Sequence, residues 1–131
     1  MGVRTSHIAI GLLATCSVAF AEVSSFESGV LPILKSNCVS CHGDKVRIKD
    51  LNLGAYDLLM KGSESGPVVV PGKPDESLLM QMVSGASPRM PMQAAPLSAA
   101  ELAALRNWIA AGAVWQCAGD FAHSLDLWFF L

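Results

Sequence analysis

The chain has 131 residues, is 52% hydrophobic, and carries 9 Lys and Arg against 11 Asp and Glu, for a formal net charge of −2. That length sets one small domain as the expectation. The near-balanced charge, with no basic stripe and no run of like charge, excludes the electrostatic footprint of a nucleic-acid binder.

The opening reads as an export signal. Arg4 and His7 make a short polar start, Ile8 to Val18 an apolar run, and Ala19-Phe20-Ala21 an A-x-A cleavage site. The run is too short for a comfortable membrane span. Cleavage before Glu22 makes residues 1–21 a signal peptide and sends the rest to the periplasm or cell surface. An uncleaved segment that holds the protein to the membrane is the competing reading. Thr15 before Cys16 fits a lipoprotein signal poorly.

Phe26, Val30, Leu31 and Leu34 then recur at helical spacing, which predicts a helix from Ser25 to Asn37 with Pro32 costing regularity near its middle. Asp44 to Asp50 is charged and reads as a solvated loop. Ala55 to Lys61 predicts a short helix closed by Gly62. Ser63 to Pro74 has breakers on both sides of Val68-Val69-Val70 and reads as an extended strap. Glu76 to Val83 predicts another short helix with Asp75 as N-cap. Gly85 to Leu97 contains Pro88, Pro91 and Pro96, which forbid a regular helix. The clearest helix follows: Ser98-Ala99-Ala100-Glu101 is a capping box, Leu102, Leu105 and Ile109 share a face beside Trp108, and Gly112 ends it. The expected fold is therefore all-α, a small helical domain over residues 22–115 whose long loops need something to pack around. Residues 116–131 form a tail ending in Leu127-Trp128-Phe129-Phe130-Leu131, too short to span a membrane.

Four cysteines do not divide into two disulfides: Cys16 leaves with the signal, Cys38 and Cys41 are a pair, and Cys117 stands alone. What decides the pair is the next residue. Cys38-Val39-Ser40-Cys41-His42 satisfies C-x-x-C-H, the requirement for covalent attachment of a c-type haem. Two intervening residues let one helical turn present both thiols to the vinyl groups, and the adjacent histidine lies under the iron. A redox dithiol would sit in a βαβ context, and here a helix precedes the motif with no βαβ pattern after it. A zinc site would have only Cys117 and His123 as further soft candidates.

A second axial ligand must come from far along the chain, from Met60, Met80, Met82, Met90, Met92 or His123. Met60, Met80 and Met82 fall in predicted helices, where packing is the expected role. Met90 and then Met92 lie in the proline-rich loop, where a backbone can wrap a haem and offer a thioether. Arg89-Met90-Pro91 is the chosen segment. A Met/His pair raises the reduction potential and fills both axial positions, which points to electron transfer over catalysis. Trp108 and Trp115 are expected in the core, Val68 to Val70 near the pocket, and Lys45, Lys73 and Arg89 are candidate partners for haem propionates.

These motifs resemble the planctomycete-type cytochrome c domain. The resemblance runs from Phe26 to Trp115. It rests on Val30-Leu31-Pro32-Ile33-Leu34 before the haem motif, Val70-Pro71-Gly72-Lys73-Pro74 with Ser77-Leu78-Leu79, Arg89-Met90-Pro91, and Trp108-Ile109 with Gly112-Ala113. It implies a fold whose first and last helices cross beside the cofactor. It also implies Cys38 and Cys41 as thioether attachments, His42 as proximal ligand and Met90 as distal ligand. The expected function is an exported mono-haem cytochrome that passes single electrons between redox partner proteins, and not an enzyme. An electron-accepting subunit of a dehydrogenase, a small peroxidase or a sensor becomes the alternative if Met90 does not bind iron.

Overall fold

The computed structural model describes residues 25–115; the segment expected to be a signal peptide, Cys16, Cys117, His123 and residues 116–131 lie outside the described residues. Within them the chain forms four α-helices and no strands: α1 (Leu31–Asn37), α2 (Tyr56–Lys61), α3 (Leu78–Val83) and α4 (Ala99–Ala110). The first three have six or seven residues, too few to persist alone in water. Packing holds them.

Pro32 explains how the first helix is built. A π-helical turn, Phe26–Val30, precedes α1, and the Leu31 N–H donates to the Phe26 carbonyl five residues back. The wider turn leaves Pro32 in the first positions of α1, where its missing N–H costs nothing. The irregularity expected near the middle of this helix is thus displaced upstream of the proline. Ser25 Oγ accepts the Ser28 N–H and caps the start.

α4 carries the predicted capping box in full. Ser98 Oγ accepts the Glu101 N–H at 3.2 Å, and Glu101 Oε2 accepts the Ser98 N–H at 2.8 Å. Gly112, at φ +107°, follows its end. Leu105, Trp108 and Ile109 are buried and meet Phe26, Val30 and Leu34 in one core. Each such side chain contributes roughly 1.5–3 kcal/mol on burial. The Phe26 ring lies 5.7 Å from Trp108 and 5.4 Å from Tyr56. Trp108 Nε1 donates to the Val114 carbonyl at 2.8 Å, so its polar edge is satisfied inside the core, as expected for a packing residue.

The first and last helices pack in opposite directions. The Phe26 N–H donates to the Trp115 carbonyl at one end, and Asn37 Nδ2 donates to Glu101 Oε1 at the other. Between them, α2 ends at Gly62, whose φ of +87° suits a residue without Cβ. A Cβ there would stand 2.5 Å from the Gly66 carbonyl oxygen.

The strap follows, and its attachment corrects one sequence expectation. Asp75 does not cap α3. It lies in a 3₁₀ turn, Pro74–Glu76, and its Oδ1 accepts from Arg106 of α4 at 2.8 Å. Ser77 precedes α3 instead, fully buried, and serves the strap: its Oγ accepts the Val70 N–H at 2.9 Å and donates to the Lys73 carbonyl at 2.9 Å. The Leu79 N–H reaches back to the Val68 carbonyl, and the Gly72 N–H to Ile109 at the end of α4. Val68 and Val69 are pressed inward as a result.

Candidate cofactor site

The C-x-x-C-H segment continues directly out of α1. The Cys38 and Val39 N–H groups both donate to the Leu34 carbonyl, and those of Cys41 and His42 both donate to Cys38. These successive turns hold the two thiols and the imidazole on one rigid piece of backbone. Gly43 closes it under a tight steric limit, because a Cβ here would lie 2.4 Å from the Val39 carbonyl oxygen.

His42 is fixed by its surroundings. Its Nδ1 lies 3.1 Å from the Ile48 carbonyl, which can only accept, so Nδ1 carries a proton and in the neutral imidazole the lone pair is on Nε2. The acceptor is itself fixed: the Ile48 N–H donates to Cys41, and the Leu53 N–H donates to the His42 carbonyl. The charged stretch 44–50, read from the sequence as a solvated loop, is exposed but carries this imidazole anchor.

A cavity of about 420 Å³ opens beside these groups. Cys38, Cys41 and His42 line one side, and Leu51, Leu53, Val68, Leu79 and Val83 supply apolar wall. Met90 lines it too, brought there by the proline-rich loop. The Arg89 and Met90 N–H groups both donate to the Met82 carbonyl at 2.9 Å, which folds the loop back onto the end of α3. All four residues singled out in the sequence, Cys38, Cys41, His42 and Met90, therefore border one space.

Other expectations divide. Met80 is buried in the core as predicted, whereas Met82 borders the cavity. Helical spacing carried a signal for this, since Leu78, Leu79, Met82 and Val83 share a face. Met92 also borders the cavity and is 67% exposed. Of the three valines, only Val68 lines it. Lys45, Lys73 and Arg89 do not, and Lys73 pairs with Glu76. Lys49, which the sequence reading passed over, does line it. Nothing in its local sequence marks it, because the turn that brings it there depends on contacts with residue 64.

The Cys38 thiol is pushed up to about 11 by burial first and by the negative charge of Glu101 second. Among the described residues no three His, Cys, Asp or Glu side chains are grouped to hold a bare metal ion. The space fits haem c on its chemistry: two thiols on one turn, an imidazole with its outer nitrogen free, a thioether, apolar walls, and a volume within the roughly 300–1,000 Å³ of organic ligand sites.

Residues 38–92 match the family model described as planctomycete cytochrome C. The match supports the planctomycete-type cytochrome c domain that these motifs resemble. Such a domain implies a covalent haem c and the general role of an electron carrier. The match opens on Cys38 and closes on Met92, so it contains both thiols, the imidazole and the Met90 loop. The resemblance read from the sequence extends further on both sides, to the helices that brace the cytochrome c stretch. No curated protein and no solved structure matches the chain.

Proposed function

We propose that this protein is an exported electron carrier in which Cys38 and Cys41 would hold one haem c through thioethers and His42 Nε2 and Met90 Sδ would bind its iron. The observation that carries the reading is the His42–Ile48 hydrogen bond beside a cavity bordered by both thiols and Met90. Haem c supplies a one-electron ferric–ferrous couple.

The residues of the chain do the rest. The Ile48 carbonyl holds the imidazole proton on Nδ1 and strengthens Nε2 as a donor. Leu51, Leu53, Val68, Leu79 and Val83 exclude water, which together with a thioether ligand favours the ferrous state and raises the potential. The double hydrogen bond to the Met82 carbonyl keeps Met90 at the cavity and so keeps small ligands from the iron. Cys41 is exposed at the edge of the site and marks the route by which electrons pass to a redox partner.

Oxidised and dithionite-reduced spectra of protein matured with a haem-c export system test this. A sharp reduced α band that survives acid-acetone extraction, with a weak far-red band in the oxidised form, is the expected result. A covalent haem without the far-red band removes Met90 from the iron and brings forward a peroxidase or sensor. No covalent haem overturns the reading.

A further inference from the structure

We propose that Lys49, with the Ser65 hydroxyl beside it, receives a haem propionate, and that Glu64 holds Lys49 at the cavity rim for this purpose. The inference rests on haem c being bound as argued above.

Haem brings two carboxylates as well as two vinyl groups. Ionised carboxylates at the edge of an apolar space require water or a cation. Polar groups border the cavity. Ser36, Asn37 and Ser40 flank the two thiols, the end where the vinyl groups are consumed. Lys49, Ser63 and Ser65 also line the cavity, gathered by the contacts between residues 49 and 64, and a haem carries its propionates on the porphyrin edge away from the vinyl groups. Among the described residues, Lys49 is the one lysine or arginine that lines the cavity.

Its placement is built. Lys49 sits at φ +62° and Asp50 at +52°, left-handed positions where glycine is the residue of least strain. Strain retained at two consecutive residues points to a side-chain requirement. Residue 64 clasps residue 49 twice: the Glu64 N–H donates to the Lys49 carbonyl at 2.9 Å, and Lys49 Nζ donates to Glu64 Oε1 at 2.8 Å. The Lys49 side chain is still 70% exposed, so its remaining ammonium protons are available to a second carboxylate. Ser63 Oγ is already committed to the Gly66 carbonyl, which leaves Ser65 as the hydroxyl donor.

The test uses the matured holoprotein and the variants Lys49→Gln, Lys49→Arg and Lys45→Gln, at one pH and ionic strength. The propionate-bending band in the resonance Raman spectrum and the midpoint potential are read together. Lys49→Gln should shift the band and lower the potential, since a lost positive charge favours the ferric state. Lys49→Arg should retain both values, and Lys45→Gln should leave the band in place. Should Lys49→Gln fail to fold, Lys49→Gly, which the left-handed backbone accepts, reads the same loss. An unmoved band in a Lys49 variant that carries normal haem c overturns this inference alone. Absence of covalent haem from the unsubstituted protein overturns the functional reading with it.

Discussion

Asn37 at the end of α1 donates its side-chain amide to Glu101 in the first turn of α4, at 3.1 Å, while the same amide group also donates to the Ile33 carbonyl at 2.9 Å. One residue before the first thiol, the chain is therefore locked to the helix that closes the domain.

Glu101 collects several donors, and this gives stability a pH dependence. The Ser98 N–H, then the Ser98 hydroxyl and the Asn37 amide, hold its carboxyl below the usual glutamate range. A depressed folded-state value adds stability that is present above the ordinary range and is lost as pH falls through the depressed value. Urea midpoints of the holoprotein at about pH 6 and about pH 3 should therefore differ more for the unsubstituted protein than for Glu101→Gln. Equal differences would remove Glu101 from the acid response.

Ser77→Ala should destabilise by about 1 kcal/mol or more, the cost of removing a buried hydroxyl that bonds two part-buried backbone groups. The Val70 N–H and the Lys73 carbonyl both lose their partner. Because Val68 on the same strap lines the cavity, the haem spectrum should broaden alongside the fall in denaturation midpoint.

Gly43→Ala should be worse tolerated than Gly85→Ala. The first places a Cβ 2.4 Å from the Val39 carbonyl inside the attachment turn, whereas the second meets open space and only a positive φ. Overpacking of this kind costs about 1–3 kcal/mol, and a backbone atom cannot rotate away. Thermal unfolding, with the fraction of chains carrying covalent haem, separates the two variants.

The two thiols should react unequally before haem is attached. With Cys38 pushed up to about 11 and Cys41 exposed, iodoacetamide at pH 8 should label Cys41 first in the folded haem-free chain. At that pH only about a thousandth of Cys38 is thiolate, the reactive form. Peptide mapping by mass spectrometry reads the order, and equal labelling would show that the attachment turn is open.

Much of this was legible because the deciding signals are local. The capping box at Ser98 and Glu101, the glycine after Lys61 and the C-x-x-C-H string each depend on a few neighbouring residues. Met90 was reachable because three prolines force a loop around it. Asp75 was misjudged for the opposite reason: its partner, Arg106, lies 31 residues away, and nothing nearby reveals that pair. Ser77 is legible only as part of the Ser77-Leu78-Leu79 motif, because its role is to bond a strap seven residues upstream. Lys49 was hidden in a charged stretch whose composition matches solvent exposure, and the clasp by residue 64 alone gives it direction. Pro32 was correctly flagged as a disturbance, but a π-helical turn is set by backbone accommodation that periodicity does not encode.

The hydrogen bond from the Phe26 N–H to the Trp115 carbonyl, at 3.1 Å, makes the two margins of the domain neighbours. Residues 26 and 115 stand side by side at a single doorway. A tether on either side would therefore hold the domain by the same spot, and the whole span from Cys38 to Met92 behaves as one uninterrupted excursion from that doorway. A chain circularly permuted by a short linker there, and reopened in the exposed stretch at residues 85–87, would place the Met90 loop ahead of Cys38 in sequence while leaving both segments of the cavity wall unbroken.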